Sequence, residues 1–403
     1  MPEPWLTIVG IGEDGLSGLS PNARAAIANA EIVFGGARHL DLTAAAINGA
    51  SRQWLSPFSR SVEAVLAEKG RAVCVLASGD PFHYGVGATL VRHVDPAEMR
   101  TIPHASAFSL AAARLGWPLQ EVVSLSLHGH PIDLIRPHLH AAARILALTS
   151  DEHGPESLAR LLTDSGFGRS IVTVMEALGG PDETIRSQMA ELFALTDINP
   201  LNLCAISVMP LPGALVLPLT PGLDDGLFEH DGQITKRDIR ALTLAALAPR
   251  RHEVLWDIGA GSGSIGIEWM LADPSLHAIA VEPNPERAAR IRRNAAAFGV
   301  PGLALVEGQA PDALIALTPP HAIFVGGGGS DPGVMEAAIA ALRPGGRLVA
   351  NAVTLEMEQV LFAQHGAHGG ELVRLSIAQA EPLGSMKGWR PSMPITQWRW
   401  KKG

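Results

Sequence analysis

The sequence has only 2 cysteines in 403 residues, and neither has a second Cys or a His at ligand spacing. That excludes a disulfide framework and leaves no basis for a thiolate metal centre. Cys74 and Cys204 sit inside apolar runs at residues 72–77 and 203–208, which suits buried thiols in a reducing compartment. No apolar run approaches the roughly 18 residues of a membrane helix, so no membrane-spanning segment is expected. Long basic runs are missing too: 31 Lys and Arg face 40 Asp and Glu, for a net charge of −9. A nucleic-acid partner normally requires clustered cations to displace counterions, so that class is disfavoured. The opening Met1-Pro2-Glu3-Pro4-Trp5 has neither a basic stretch nor a cleavable apolar segment, and a cytoplasmic protein is expected. There is no short repeat and no low-complexity tract.

What remains is a long chain in which strands and helices alternate. Its length calls for two or more domains. Strands are expected at 5–12, 31–34, 72–77, 99–102, 145–149, 171–175 and 203–208. Helices are expected at 22–29, capped by Ser20-Pro21, at 106–115 and at 156–163. Residues 210–233 are rich in Pro, Gly and Asp and read as a connection. The rhythm then restarts. Thr235 is expected to cap a helix to Leu247, followed by strands at 253–258, 277–281, 303–306, 322–325, 348–351, 372–378 and 396–400. This is α/β texture, with a doubly wound sheet of about seven strands in the second half. The expected division is 1–212, itself split near 104 and 105, a linker at 213–232, and 233–403.

The strongest motif is Trp256-Asp257-Ile258-Gly259-Ala260-Gly261-Ser262-Gly263-Ser264-Ile265-Gly266, a strand running into a glycine turn that opens a helix. Glycines there let backbone approach a nucleotide-like ligand. Gly261-x-Gly263-x-x-Gly266 also fits a dinucleotide fingerprint, with Glu282 following about 20 residues on. Asp257 favours S-adenosylmethionine instead: a carboxylate before the first glycine suits an ammonium group and would repel a pyrophosphate. Glu282 would take the ribose hydroxyls, and Gln309 and Ala310 would border the adenine.

The blocks Gln233 to Arg240, Trp256 to Ser264, Glu282 to Arg287, Val306 to Pro311, Phe324 to Gly329 and Arg343 to Glu356 together resemble the CbiT-type decarboxylating precorrin methyltransferases. Gly326-Gly327-Gly328-Gly329 and Asn351-Ala352-Val353-Thr354-Leu355-Glu356 are the narrowest of these signals. In the first half, Val9-Gly10-Ile11-Gly12-Glu13-Asp14-Gly15 is followed by Ser78-Gly79-Asp80-Pro81-Phe82-His83-Tyr84-Gly85, then His104-Ala105-Ser106-Ala107-Phe108. That succession resembles the CbiE-type, class III tetrapyrrole methyltransferases over residues 5–210. It departs at Ala105-Ser106-Ala107-Phe108, where relatives have Gly-Ile-Ser-Ser. On the residues alone, Asp80 also reads as a turn residue before proline.

A CbiE-like unit ahead of a CbiT-like unit is the layout of the CobL-type precorrin C5,15-methyltransferase family. The resemblance implies a two-subdomain class III fold followed by a Rossmann-like class I sheet, with S-adenosylmethionine at two sites and no metal. Its substrate would be precorrin-6Y, methylated at C5 and C15 with loss of the ring C acetate carboxyl to give precorrin-8. It implies donor contacts at Gly10, Gly12, Gly79, Asp80, Phe82, Gly85, Ser106 and Ala107, and at Asp257, Gly259, Gly261, Gly263, Ser264, Glu282, Gln309 and Ala310. Thr235, Lys236, Arg237, Arg240, Gly326 and Gly327 are candidates for the carboxylate-rich substrate, with Lys387 and Arg390 in the tail. The group Trp389, Trp398 and Trp400 offers either a flat face to the macrocycle or, more simply, sheet packing. Relatives of both halves self-associate, so a homo-oligomer is expected; no general acid or base is assigned. Two other readings are kept: a class I methyltransferase acting on RNA, which the acidic balance opposes, and a non-catalytic tetrapyrrole-binding regulator, which intact motifs in both halves oppose.

Overall fold

In the computed structural model, which describes residues 4–403, the alternation read from the sequence becomes four sheets. One compact unit runs to Ile132 and again over His138–Leu215, and the other comprises Asp133–Pro137 and Val216–Gly403. The first opens with β1 (Leu6–Ile11), α1 (Pro21–Asn29), β2 (Ile32–Gly35), α2 (Ala37–Thr43), β3 (Ala50–Gln53), α3 (Phe58–Leu66), β4 (Val73–Ser78), α4 (Gly87–Leu90) and β5 (Met99–Ile102). Its strands pair in the order β3-β2-β4-β1-β5, all parallel. β1 and β4 are nearly continuous apolar runs because both faces of a central parallel strand are covered. Ser20 starts α1 as expected: its hydroxyl accepts the Ala23 N–H at 3.2 Å, a cap that contributes about 1 kcal/mol. Ala23 and Ile27 then pack on Val9, Ile11 and Leu76.

The same unit continues through α5 (Ala107–Leu115), β6 (Val122–Ser126), β7 (Arg144–Leu148), α6 (Gly154–Asp164), β8 (Ile171–Glu176), β9 (Thr184–Met189) and β10 (Asn202–Ser207). These strands form a second sheet, β6-β7-β10-β8-β9, in which only β6 and β7 are parallel. Phe108, Ala111 and Ala112 of α5 bury against Leu146, Leu203 and Ala205.

The second unit holds α7 (Arg237–Leu247), β11 (Val254–Ile258), α8 (Ser264–Leu271), β12 (His277–Val281), α9 (Pro285–Ala297), β13 (Ala304–Val306), β14 (Ala322–Val325) and α10 (Val334–Ala341). It ends with β15 (Arg347–Ala352), α11 (Leu355–His368), β16 (Glu371–Leu375), β17 (Ala378–Leu383), β18 (Met386–Pro391) and β19 (Ile395–Lys401). A seven-stranded sheet runs β13-β12-β11-β14-β15-β19-β16, with β19 antiparallel to both of its neighbours. The order reverses between β11 and β14, which leaves a crevice at their carboxyl ends.

Several elements differ from the sequence reading. The strands β3, β6 and β9 were not anticipated: β3 is polar and exposed throughout, and edge strands like β9 carry little hydrophobic signal. Residues 372–378 are not one strand. The sheet strand ends at Leu375, and Ala378 begins a separate two-stranded hairpin, β17–β18. The cap of α7 is Lys236, not Thr235, and no side chain caps that end. Residues 213–232 are no slack tether either. Leu217, Leu223 and Phe228 are buried, and the Gly222 and Leu223 N–H groups donate to Glu268 at 2.6 and 3.0 Å.

Candidate active sites

In the second unit, β11 delivers the chain into a turn where Gly259 and Gly261 have φ of +69° and +60°, a region that costs side-chain-bearing residues strain. A Cβ at Gly259 would overlap the Gly327 carbonyl, so the turns after β11 and β14 meet backbone to backbone. Between them opens a cavity of about 970 Å³, at the upper end of the roughly 300–1,000 Å³ of ordinary ligand sites. Gly259, Gly261, Glu282, Gln309, Ala310, Gly326 and Gly327 line it, and so do Thr235, Lys236 and Arg237. The Glu282 carboxylate is buried and accepts the Gly261 N–H at 2.8 Å and the Asn284 N–H at 3.1 Å. Its remaining lone pairs are available to hydroxyl donors. Gln309 donates to Asp331 at 3.2 Å, and Asp331 is itself a lining residue.

Four expected residues lie elsewhere. Gly263 caps α8 and Ser264 is buried behind it, so neither lines the cavity. The Asp257 carboxylate is 1% exposed and accepts the Gly266 N–H at 3.0 Å, while its other oxygen has no partner. Burial pushes this carboxyl up to about 7, with the Gly266 bond opposing the shift and the Glu282 charge adding to it. Asp257 therefore stands behind the glycine loop and not at its mouth. Arg240 is fully buried. Its guanidinium donates to Glu268 at 2.6 Å, to Asp225 at 2.9 Å and to the Thr235 and Leu223 carbonyls, and it lies 4.9 Å from the centre of the Phe228 ring. Every nitrogen of that cation donates to the protein, so it anchors the 222–240 segment and lies outside the cavity lining.

In the tail, Trp398 is buried and stacked on Trp400 at 5.9 Å, whereas Trp389 is exposed on β18, so the three tryptophans form no single face. Lys387 and Arg390 are also exposed on β18, outside the cavity lining, and Arg390 pairs with Glu381 across the hairpin. Sequence reasoning missed the hairpin's base: Ile377, Gln379, Ser392 and Met393 help line the cavity. Only their nearness to the sheet-closing strands could have signalled it.

In the first unit, three loops converge at the carboxyl edge of the parallel sheet. The Gly79 N–H donates to the Ile11 carbonyl at 2.9 Å, and the His104 N–H donates to the Gly79 carbonyl at 3.2 Å. A Cβ at Gly10 would overlap the Gly79 carbonyl, and one at Gly12 would lie 2.8 Å from both Asp14 and His104. At Gly79, with φ of +53°, a Cβ would lie 2.9 Å from Ala105 and Ser106 backbone. Gly10, Gly12, Gly79, Ser106 and Ala107 are thus brought together. Ser106 caps α5, accepting the Ser109 N–H at 3.2 Å, and Ala107 is the first helical residue. The Asp80 carboxylate accepts the Phe82 N–H at 2.8 Å, the turn role its position before proline allows. Gly85 packs on the Pro81 carbonyl, Phe82 is exposed, and His83 stacks on Phe108 at 4.5 Å.

Two family models match consecutive parts of the chain: tetrapyrrole (corrin/porphyrin) methylases over residues 5–192, and a precorrin methyltransferase domain over residues 226–402. A Sinorhizobium protein named precorrin-6Y C(5,15)-methyltransferase (decarboxylating) is 61% identical over 400 residues, covering 99% of this chain and 97% of its own. The chain belongs to the precorrin-6Y C(5,15)-methyltransferase family. A Mycobacterium tuberculosis member of the same name is 41% identical over 398 residues, covering 98% of each chain. The solved C-terminal domain of the Rhodobacter capsulatus precorrin-6Y C5,15-methyltransferase is 50% identical, covering 46% of this chain and all of that one, at a TM-score of 0.44.

Membership in the precorrin-6Y C(5,15)-methyltransferase family makes this chain a methyltransferase. In both glycine turns, backbone passes so close to neighbouring backbone that a side chain would not fit. Among the described residues there is no group of three or more His, Cys, Asp or Glu that could hold a metal ion, and no helix long and apolar enough to cross a membrane.

Proposed function

We propose that this chain carries out both methyl transfers named for its family, at C5 and C15 of precorrin-6Y, and removes the ring C acetate carboxyl as carbon dioxide. S-adenosylmethionine, when bound, supplies an electrophilic methyl group on sulfonium sulfur. The observation that carries the reading is the pairing, in one chain, of two different glycine-turn sites, each matched by its own methylase family model.

We assign C15 methylation and decarboxylation to the second unit and C5 methylation to the first, on the CbiT-type and CbiE-type likenesses of residues 233–356 and 5–210. In the second unit, Glu282 takes ribose hydroxyls while holding the Gly261 loop in place. Gln309 and Ala310 border the base, and Lys236 and Arg237 offer positive charge to substrate carboxylates at the mouth. The meso carbon of a reduced tetrapyrrole is enamine-like and already nucleophilic. The cavity's task is to hold it in line at about 3 Å, which accounts for much of the rate. In the first unit the convergent turns at Gly10, Gly12, Gly79 and Ser106 do the corresponding work. The two buried thiols, each pushed up to about 12 by burial, fit a cytoplasmic, reducing setting. Self-association is part of the proposal, supported by the exposed apolar side chains Leu383, Met386, Trp389 and Met393 on and beside the β17–β18 hairpin.

The test is incubation with reduced precorrin-6 and S-adenosylmethionine under anaerobic conditions, followed by product mass. A product heavier by two methyl groups and lighter by carbon dioxide is expected. A product with methyl groups added but the carboxyl retained would remove the decarboxylase assignment.

A further inference from the structure

Four polar side chains at the carboxyl edge of the first sheet are given no role in either donor site: Glu13 and Ser78 flank that sheet's glycine turns, and Arg38 and His39 lie outside every motif. Arg38 and His39 lie in the first turn of α2, directly after β2; Ser78 ends β4; Glu13 follows the β1 glycine turn. They form one network. Glu13 pairs with Nη1 of Arg38. Nη2 of Arg38 donates to His39 Nε2 at 2.9 Å and to Ser78 Oγ at 3.3 Å, and Ser78 Oγ lies 3.0 Å from the same His39 nitrogen.

The donor and acceptor roles follow from the chemistry. A guanidinium only donates, so His39 Nε2 must accept, and the ring proton sits on Nδ1. That Nδ1 is buried and has no partner. Burial, and then the charge of Arg38, push His39 down to about 4, so the imidazole is neutral and can face a cation without repulsion. Ser78, accepting from Arg38, is left to donate its own proton to the imidazole. An ordinary surface arginine–glutamate pair needs neither the buried His39 nor Ser78. Their effect is to fix the plane and orientation of a fork that would otherwise be free to rotate.

The Arg38 side chain nonetheless keeps 38% of its exposure, and the rest of its fork has no partner among the described residues. Its position is specific: Ser78 directly precedes Gly79, and Glu13 directly follows Gly12. A pre-set, partly open guanidinium therefore stands beside both glycine turns of the first donor site. Its remaining N–H donors and its charge suit a carboxylate oxygen.

We propose that Arg38 anchors a carboxylate arm of the tetrapyrrole in the first unit, with Glu13, His39 and Ser78 as positioning residues that hold its fork. The inference rests on the reading above that this unit methylates C5. A substrate carboxylate oxygen accepts from the Nε or Nη1 hydrogen that Glu13, His39 and Ser78 leave free, and the arm so held sets which meso carbon faces the donor.

The experiment uses the full chain as wild type, Arg38→Ala, Arg38→Lys and Ser78→Ala, with reduced precorrin-6 and S-adenosylmethionine. Product masses separate C5 transfer from C15 transfer and carbon dioxide loss. Arg38→Ala is expected to raise the tetrapyrrole KM of the C5 step roughly tenfold to a hundredfold, with a smaller fall in kcat. Arg38→Lys restores part of that loss, because lysine keeps the charge and lacks the fork. Ser78→Ala raises the same KM by roughly threefold. S-adenosylhomocysteine binding and the C15 step stay at wild-type values. An unchanged C5 KM in both Arg38 variants overturns the anchor alone, and so does a weakened donor affinity with an intact tetrapyrrole KM. A wild-type chain that transfers no methyl to C5 overturns the functional reading of this unit, and the anchor with it.

Discussion

Arg240 shows how a residue's chemistry is set by partners far away in sequence. Read along the chain, it is one of several cations before a glycine loop. In the folded protein Glu268, 28 residues on, takes its Nε and leaves it fully buried. Arg240→Ala would strand the buried Glu268 charge and is expected to lower stability by about 3–5 kcal/mol, read as a fall in the second unit's melting temperature. A variant that melts normally but loses tetrapyrrole affinity would return Arg240 to the substrate site. Asp257 gives a second prediction with a definite sign. Its folded pKa of about 7 lies above the ordinary 3.8, so between those values the folded chain holds a proton that the unfolded chain has released. The associated stability is fully present at low pH and is lost as pH rises from about 4 toward 7, with no further change above. Asp257→Asn removes this titration, so the second unit's melting temperature should change less across that window than in the wild type. An identical pH profile would mean that Asp257 is ionised in the folded protein. The places of Gly259, Gly261 and Glu282 on the cavity wall were legible because they follow from local backbone and strand-end position. The burial of Arg240 and Asp257 was not, because it depends on which helix covers them.

Loops and turns, more than helices, separate what the sequence discloses from what it withholds. The central strands β1, β4, β11 and β14 were legible as continuous apolar runs, and each ends in glycines that point to a site. The hairpin β17–β18 and the polar edge strand β3 were not, since neither has a buried face that would impose a period. Arg38 and His39 escaped for a related reason. The turn after β2, Gly35-Gly36, looks like the other glycine turns but has no motif of its own, although its place at the same sheet edge was a usable signal. The two glycine turns allow a paired test. Gly259→Ala places a methyl group into the Gly327 carbonyl and should abolish C15 transfer, leaving C5 transfer measurable on a C15-methylated substrate. Gly10→Ala collides with the Gly79 carbonyl and should do the reverse. If either variant lost both transfers on separately supplied substrates, the assignment of one site to each unit would fail.

At the scale of the whole chain, two units each fold around their own sheets, and the proposed function gives each of them a donor. The connection matters to where they separate. Gly222 and Leu223 bond to Glu268, so a second-unit fragment beginning at Val216 should melt higher than one beginning at Gln233, which leaves that carboxylate short of two donors. Equal melting temperatures would show that the 216–232 segment contributes nothing to the unit. The rise and restart of the strand rhythm made the two-part organisation visible in the sequence, while the packing of the Pro- and Gly-rich segment between them was hidden by its composition. The central claim is that both sites work, and calorimetric titration of the intact chain with S-adenosylhomocysteine, counting sites per chain, tests it most directly. Two sites are predicted, one of them lost in Gly10→Ala and the other in Gly259→Ala. A single site that survives in one of these variants and vanishes in the other, or no site at all, would contradict it.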